Sequence, residues 1–360
     1  MTRRQFAAGA LAAISASTAV AKPAAANPSP SVPASADPLW FVDPDLRPEA
    51  RAIQAMAGPG SDLTRQTLPM VRRAMEALGG EPLPDVPVRR ESVPVGGEHP
   101  DVGVYVINAQ SPPRRGAGAR PAILHMHGGG FVAGSARASL PVMQALARRL
   151  DCLIVSVEYR LAPETTYRGS IADTYAALSW LHAQAGDLGV DPARVVVMGE
   201  SAGGGHASLL AIAARQSPKL PIAFQLLVYP MLDDRTGSTR IPAFPIGTIG
   251  WTAAANRFAW GAFLGTEPGG SAVPSAAVPA RLEDMAGLPP AFVGVGSIDL
   301  FFEESVVYAS RLIKAGIPAE LVVVPGAFHG FDVSASATPV AQRFDAARTE
   351  ALRRALQSRA

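Results

Sequence analysis

The chain has 360 residues, 48% of them hydrophobic, which is enough for a sizeable core in one large α/β domain or two smaller ones. A formal net charge of +2 without blocks of like charge gives no reason to expect nucleic-acid binding and favours a small uncharged partner. The single cysteine, Cys152, excludes an internal disulfide, and its apolar neighbours predict a buried strand position.

The N-terminus has the features of an export signal. Arg3 and Arg4 precede a charge-free, alanine-rich stretch that ends in the small-residue site Ala19-Val20-Ala21, with Ala24-Ala25-Ala26 as a second candidate for cleavage. This stretch is shorter than the roughly 20 apolar residues that span a bilayer, so we expect no stable membrane insertion. Because the pattern resembles a twin-arginine signal, we predict a signal peptide over residues 1–21 and export to the periplasm or the extracellular space, which processing of the precursor would test.

Two segments precede the first strand. Residues 22–38 are rich in Pro, Ala and Ser and predict a flexible linker. Residues 39–84 carry helical signals, because Thr67 can cap a helix that Gly79-Gly80 ends. Apolar residues at helical spacing form one stripe on this helix: Leu68, Val71, Met75 and Leu78. The residues leave open whether the helices pack on the core or cover a site.

Short apolar runs indicate the strands of a sheet. Val102, Val104 and Val106 alternate with other residues, which predicts an outer, antiparallel strand with one wet face. Beyond Arg120 the runs do not alternate, as expected for parallel strands that are buried on both faces. These runs are residues 122–124, 153–157, 195–198, 223–228, 291–295 and 321–324.

Amphipathic helices lie between several of these strands. Apolar residues at helical spacing mark two of them: Leu140, Met143, Leu146 and Leu150 in one, and Ile171, Tyr175, Leu178 and Leu181 in the next. Ser170 and Asp173 are predicted to begin the second helix as a capping box. The alternation of strands and helices predicts a three-layer α/β domain with a mostly parallel sheet, whose working residues lie in loops at the carboxyl ends of the strands.

A serine nucleophile is predicted at Ser201. A valine run leads into Gly199-Glu200-Ser201-Ala202-Gly203, and an alanine-rich helical segment follows, which is the strand, tight turn and helix that surround such a serine. Gly199 and Gly203 leave room where a Cβ would collide with the neighbouring strand or helix.

The general base is predicted at His329. A serine hydroxyl needs a base at neutral pH, and imidazole has the matching pKa. His329 lies just past the last apolar run and fits the chain order serine, acid, histidine. His182 and His206 are predicted to be structural, and His99 lies ahead of the outer strand.

The acid that orients this histidine is predicted at Asp299. Of the nine carboxylates between Ser201 and His329, only Asp299 lies within a few residues of the end of an apolar strand. Glu303 is the reserve candidate, although Glu303 and Glu304 are also suited to the first turn of the following helix.

Three glycines are the predicted oxyanion donors. Gly128, Gly129 and Gly130 directly follow a strand, and the N–H of Ala202 is the predicted partner donor. A phosphate cradle is excluded, because neither Gly-Lys-Ser/Thr nor Gly-x-Gly-x-x-Gly occurs around this run. A metal pair at His125-x-His127 lacks a third ligand nearby, so we expect no metal.

Six motifs in this order resemble the hormone-sensitive-lipase-like esterases of the α/β-hydrolase fold. The motifs are His127-Gly128-Gly129-Gly130, Tyr159-Arg160-Leu161-Ala162-Pro163-Glu164, the turn at residues 199–204, Tyr229-Pro230-Met231-Leu232-Asp233-Asp234, the Asp299 loop and His329-Gly330-Phe331. The similarity covers roughly residues 85–358. It implies an α/β-hydrolase catalytic domain over residues 85–360, a helical cap over residues 39–84, a triad of Ser201, Asp299 and His329, and no cofactor.

Two departures from the family pattern concern the subfamily. Glu200 precedes the nucleophile where many members have aspartate, and Leu-Phe-Phe-Glu-Glu follows Asp299 where Pro-Leu-Arg-Asp-Glu is commoner. The turn also resembles that of type-B carboxylesterases, which are much longer and rely on disulfides.

The sequence therefore predicts a serine hydrolase for small uncharged carboxylic esters, and the resemblance implies a preference for short acyl chains. A lactonase, amidase or peptidase with the same residues is one alternative, and a non-catalytic ligand receptor on the same fold is another. Trp251, Phe258 and Trp260 are candidates for the pocket wall or for core packing. A homodimer is compatible with the sequence and not required by it.

Overall fold

The apolar runs of the sequence form one eight-stranded sheet within the part of the chain that the structure, a computed structural model, describes: residues 37–56, 62–109 and 118–357. The strands are β1 (Val88–Val93), β2 (Val102–Ile107), β3 (Arg120–Met126), β4 (Leu153–Glu158), β5 (Val190–Glu200), β6 (Phe224–Val228), β7 (Ala291–Gly296) and β8 (Ala319–Val324). The predicted signal peptide and residues 22–36 of the predicted linker lie outside the described residues.

The sheet has the order β1-β2-β4-β3-β5-β6-β7-β8. Strands β3 to β8 are parallel, and β1 and β2 are antiparallel to their neighbours. The prediction of a mostly parallel sheet is confirmed. Central strands such as β4 and β7 are buried on both faces, but β8 is only partly buried, because it has a neighbour on one side only.

The strand around Val104 is antiparallel as predicted, but it is not the outermost strand. Strand β1 pairs with it along the whole length of β2, from Val88 opposite Ile107 to Val93 opposite Val102. The sequence of β1 is largely polar and mostly exposed, which is why apolar periodicity did not indicate it. Val104 and Val106 are fully buried and point to the same face, as the alternation requires.

Helices cover both faces of the sheet. They are α1 (Arg47–Met56), α2 (Leu68–Ala77), α3 (Leu140–Leu150), α4 (Tyr167–Ala183), α5 (Ala185–Leu188), α6 (Ala202–Ala214), α7 (Ala253–Leu264), α8 (Phe302–Lys314), α9 (Phe331–Ser334) and α10 (Pro339–Gln357). One apolar cluster joins the sheet to α4, α5, α6 and α8, and another joins it to α1, α3 and α10. This is the predicted three-layer arrangement. In the part of the chain that is described, no helix is both long and apolar enough to cross a bilayer.

The predicted capping box of α4 is wrong. The helix begins at Tyr167, so Ser170 and Asp173 lie inside it and not at its start. The buried carboxylate of Asp173 accepts hydrogen bonds from the backbone and guanidinium of Arg160 instead. The acid therefore serves a tertiary ion pair, which a local capping rule cannot reveal.

The two N-terminal helices lie in different places. Leu46, just before α1, and Ala50, within α1, are fully buried in the apolar cluster that also contains residues of α3 and α10. In contrast, α2 packs through Leu68 on a third apolar cluster that includes Trp260 and Phe263 of α7. As predicted, Thr67 immediately precedes α2, but its side chain caps no helical N–H. Leu78 lies beyond the end of the helix and is 84% exposed, so it does not belong to the buried stripe.

The described residues form one compact unit. The boundary between the predicted cap at residues 39–84 and the predicted catalytic domain at residues 85–360 stays a prediction.

Candidate active site

Ser201 lies at the turn between the last residue of β5 and the first residue of α6. Its backbone has φ 56° and ψ −121°, a left-handed conformation that side chains rarely adopt. The turn is held by two hydrogen bonds, from the N–H of Ser201 to the carbonyl of Val228 at 2.9 Å and from the N–H of Met231 to the carbonyl of Ser201 at 3.0 Å. The predicted strand, turn and helix are therefore present around this serine.

Gly199 and Gly203 fit where no side chain could. A Cβ on Gly199 would lie 2.2 Å from the backbone of Gly203, and a Cβ on Gly203 would lie 2.0 Å from the carbonyl oxygen of Met126 on β3. Both distances are far below any normal contact. The small residues two before and two after the serine thus let α6 pack directly on β3 and β5.

His329 and Asp299 lie beside this serine in one hydrogen-bonded line. His329 Nε2 is 3.0 Å from Ser201 Oγ, and His329 Nδ1 is 2.9 Å from Asp299 Oδ2. The other oxygen of Asp299 accepts the N–H of Phe301 at 2.8 Å, which fixes the carboxylate. Asp299 is fully buried and lies in the loop after β7, and His329 lies in the loop after β8.

The other carboxylates near Asp299 are placed elsewhere. Glu303, the reserve candidate, is 63% exposed and lies 3.8 Å from Arg240. Glu304 is buried in the first turn of α8, where it accepts hydrogen bonds from the N–H of Leu232 and the hydroxyl of Thr236. Burial raises the pKa of the Glu304 carboxyl well above its usual value. The structure brings only Asp299 to His329 among these candidates.

The glycine run lies against the serine turn. A Cβ on Gly128 would be 3.1 Å from the carbonyl oxygen of Glu200 and 3.6 Å from the Cβ of Ser201. Gly129 and Gly130 have φ of 125° and 62°, conformations that favour glycine. Within the described residues, no backbone carbonyl accepts the N–H of Gly129, Gly130 or Ala202. These N–H groups are free to bind a substrate oxygen.

Three further histidines lie behind the site. His127 Nδ1 is 2.8 Å from the carbonyl oxygen of Gly128, and the His127 ring stacks on Tyr159. His206 lies fully buried among aromatic rings, as its predicted structural role requires. Burial lowers the pKa of His127 to about 4 and that of His206 to about 3, so both rings are neutral at pH 7. The described residues contain no group of three or more metal-ligating side chains around His125 or elsewhere.

A cavity of about 740 Å³ opens beside Ser201. Its apolar wall comes from α2 and α3 and includes Met75, Val142, Met143 and Leu146. Trp251 closes the side next to the glycine run, since its ring would lie 2.4 Å from a Cβ on Gly130. Of the other aromatic candidates, Trp260 is buried core, and Phe258 packs on the same apolar cluster and faces a separate surface groove.

The sequence did not indicate a cluster of polar side chains beside the cavity, formed by Tyr229, Asp332, Asp345 and Arg348. The Tyr229 ring packs edge-on against His329 at 4.6 Å between centroids, and its hydroxyl donates to Asp332 at 2.7 Å. Arg348 of α10 donates to Asp332 and to Asp345 and lines the same cavity. Tyr229 was part of a family motif without an assigned role, and nothing in the sequence of α10 distinguished Arg348 from its other arginines.

Helix α2 is tied to the site by one arginine that the sequence also did not indicate. Arg72 donates to the carbonyl of Val132 at 2.7 Å, to the carbonyl of Ala162 at 2.9 Å, and to both oxygens of Glu164. Val132 directly follows the glycine run and Phe131. The helix that forms one cavity wall is thus bonded to the segment that carries the predicted donors.

Comparison with known proteins agrees with this geometry. A family model described as alpha/beta hydrolase fold matches residues 123–333. The chain is 32% identical over 299 residues to carboxylesterase NlhH of Mycobacterium tuberculosis, covering 81% of this chain and 86% of the relative. It is 35% identical over 224 residues to esterase LipI of the same organism, covering 61% and 68%. Among solved structures it resembles a bacterial heroin esterase, with 35% identity, a TM-score of 0.78 and coverage of 89% of this chain and 100% of that one.

Proposed function

Because the chain belongs to the α/β-hydrolase family, among the hormone-sensitive-lipase-like esterases, we propose that it hydrolyses small carboxylic esters through an acyl-enzyme on Ser201. The observation that carries the proposal is the hydrogen-bonded line of Ser201, His329 and Asp299. His329 Nε2 lies 3.0 Å from Ser201 Oγ, and His329 Nδ1 lies 2.9 Å from Asp299 Oδ2. A serine and a base at this distance, with the base oriented by a buried acid, are what nucleophilic catalysis at neutral pH requires.

In the first half of the reaction, Ser201 Oγ forms a bond to the ester carbonyl carbon while its proton passes to His329 Nε2. The carbonyl oxygen becomes an oxyanion, which the N–H groups of Gly128 to Gly130 and Ala202 stabilise. His329 then gives its proton to the alcohol oxygen as the carbon–oxygen bond breaks. Asp299 holds the ring with Nδ1 protonated and balances the imidazolium charge.

In the second half, a water molecule attacks the acyl carbon, and His329 takes a proton from this water. The bond to Ser201 Oγ breaks, the serine recovers its proton from His329, and the carboxylic acid leaves. These groups supply every proton transfer and every charge stabilisation, so this mechanism uses no cofactor.

We propose short acyl chains as preferred substrates. Trp251 supports this, because its ring closes the cavity directly beside Gly130 and limits the acyl length on that side. We also propose that α2 acts as a cap, since Met75 lines the cavity and Arg72 fixes the helix to the loop after the glycine run. Apolar walls suit an uncharged ester.

The alternatives keep the same residues. A lactonase, amidase or peptidase would use the same serine, base and donors, and would differ only in the leaving group that the cavity accepts. A non-catalytic receptor on this fold is disfavoured by the completeness of the hydrogen-bonded line from Ser201 to Asp299.

A substrate panel tests the proposal. The purified protein is assayed on p-nitrophenyl esters of rising acyl length beside a lactone, an anilide and a long-chain triglyceride emulsion. We expect the highest kcat/KM on acetate to butyrate esters and weak turnover of the anilide. Best turnover on the triglyceride would contradict the short-chain preference, and best turnover on the lactone or anilide would select one of the alternatives.

A further inference from the structure

A second hydrogen-bonded line of serine, histidine and carboxylate lies near the first and runs across three strands of the sheet. His125 Nδ1 lies 2.8 Å from Ser156 Oγ, and His125 Nε2 lies 3.0 Å from Glu200 Oε2. The three residues sit on adjacent parallel strands, with Ser156 on β4, His125 on β3 and Glu200 at the end of β5. Glu200 immediately precedes the nucleophile, and no step of the mechanism above uses its side chain.

This line is not a second catalytic site. Ser156 and His125 are both fully buried, so no substrate reaches the serine hydroxyl. Glu200 and His125 both border the cavity, but only the Glu200 side chain is exposed, at 19%. The same residue types therefore serve another purpose here.

The position of the Glu200–His125 hydrogen bond indicates that purpose. The backbone ladder between β3 and β5 ends where Met126 lies opposite Gly199. Beyond that point β3 continues into the glycine run and β5 into the serine turn. These two segments are no longer paired as strands, but they stay close, since Gly128 lies against the carbonyl of Glu200. The side-chain bond from Glu200 back to His125 joins the two strands at the place where backbone pairing stops.

The negative charge of Glu200 favours a strong hydrogen bond with His125. Burial raises the pKa of the Glu200 carboxyl, but the charge and hydrogen bond of His125 and the charge of Arg348 outweigh burial and hold it below its usual value. The carboxylate is thus ionised and can only accept, so the proton lies on His125 Nε2. On the other side of the ring, Nδ1 lies 2.8 Å from Ser156 Oγ, and this second hydrogen bond fixes the orientation of the imidazole.

We propose that the Glu200–His125 pair is a positioning clamp that sets the distance between the nucleophile and the oxyanion donors. Ser201 and Ala202 follow Glu200 on one side of the clamp, and Gly128 to Gly130 follow His125 on the other. The inference rests on the proposed ester hydrolysis. Because a displacement of about 1 Å at reacting atoms can cost a factor of about 100 in rate, loss of the clamp is expected to lower kcat and leave KM nearly unchanged.

Substitution of Glu200 separates the hydrogen bond from the charge. Glu200→Ala removes the acceptor and should lower kcat on p-nitrophenyl acetate about a hundredfold. Glu200→Gln keeps an acceptor oxygen at the same reach and should stay within about tenfold of wild type, whereas Glu200→Asp keeps the charge with a shorter reach and should fall below Gln. Glu158→Ala is the matched control, because Glu158 ends the neighbouring strand β4 and accepts from the backbone of Arg137.

Affinity for a boronic acid that forms a tetrahedral adduct on serine is the second readout. We expect the Kd of this inhibitor to rise in Glu200→Ala by the same factor by which kcat falls, because both depend on the placement of the oxyanion donors relative to the serine. Thermal unfolding of each variant reports folding, and if the alanine variant does not fold, the order of Gln and Asp decides the test.

Three results would overturn the clamp: wild-type kcat and boronate affinity in Glu200→Ala, equal losses in Glu200→Ala and Glu158→Ala, or higher activity in the Asp than in the Gln variant. Each leaves ester hydrolysis by the wild type intact. If the wild type turns over no ester, the proposed function fails first and the clamp with it.

Discussion

Ser201 has a backbone conformation that the surrounding chain must impose. A non-glycine residue at φ 56° and ψ −121° costs of order 1–3 kcal/mol. The cost is offset by the hydrogen bonds of the turn to Val228 and Met231 and by the close fit of Gly199 and Gly203. The strain places Oγ within reach of His329 and leaves the N–H of Ala202 without a backbone acceptor in the described chain.

His206, behind the site, is held without a polar partner of its own in the described structure. His206 lies among Phe131, Tyr159 and Phe263, and neither ring nitrogen has a hydrogen-bond partner in the described structure. The pKa of His206 is lowered to about 3, chiefly by burial and also by the nearby His127. An unfolded chain binds the proton near pH 6.5, so this ring destabilises the fold progressively as pH drops from 6.5 towards 3.

Replacing His206 with Phe tests this sign. From pH 7 to pH 5 the wild type should lose about 2 kcal/mol more unfolding free energy than His206→Phe, because only the wild type has this ring to protonate on unfolding. Urea unfolding at both pH values measures the difference, and comparison with the variant cancels the other titrating groups. An identical pH dependence in the two proteins would contradict the shifted pKa.

At the scale of elements, the site depends on how closely α6 packs on β3. Gly203 lies in the first turn of α6, where a Cβ would meet the carbonyl of Met126 at 2.0 Å, and backbone cannot give way cheaply. The same contact brings the N-terminal end of α6 beside the glycine run. Packing density and catalytic geometry are therefore set by the same small residues.

Gly203→Ala should destabilise the protein by about 1–3 kcal/mol and lower kcat, because the helix must move away from β3. Gly186→Ala is the matched control, since Gly186 is also helical, and a Cβ there meets nothing within 4 Å. Thermal unfolding and ester turnover of both variants measure the effects. A Gly203→Ala protein as stable and active as Gly186→Ala would show that the close packing at Gly203 is not required.

The sequence predicted those elements whose signal is local. The parallel strands and helices α3 and α6 follow from apolar runs and periodicity within each segment. Strand β1 was missed, because its exposed polar side chains carry no such pattern and its pairing with β2 alone makes it a strand. The predicted start of α4 is four residues late, because Ser170 and Asp173 resembled a capping box, whereas the N-cap is Thr166 and Asp173 pairs with Arg160.

At the scale of the whole molecule, a parallel sheet collects residues from distant parts of the chain at one edge. Ser201, Asp299 and His329 follow β5, β7 and β8, and 128 positions separate the serine from the histidine. Their selection from the sequence combined the tight-turn motif and the chain order serine, acid, histidine with the rule that carboxyl ends of parallel strands meet. This is why the predicted members of the hydrogen-bonded line could be named without coordinates.

The surroundings of that line could not be named in the same way. Arg348, Tyr229 and Arg72 matter through contacts between elements that are far apart in the chain, and their local sequences give no sign of the partners they meet. The side-chain partner of Glu200 was likewise unpredictable, because His125 reaches it only across the pairing of β3 with β5. Tertiary packing thus decides the pocket, while the motif order indicates the nucleophile.

The central claim is that Ser201 forms the covalent acyl-enzyme. Its most direct test is peptide mapping by mass spectrometry after reaction with a fluorophosphonate, beside ester turnover by Ser201→Ala. We expect one adduct, on the peptide that contains Ser201, with no adduct and no ester turnover in the folded alanine variant. An adduct on another residue, or turnover that persists in Ser201→Ala, would contradict the account.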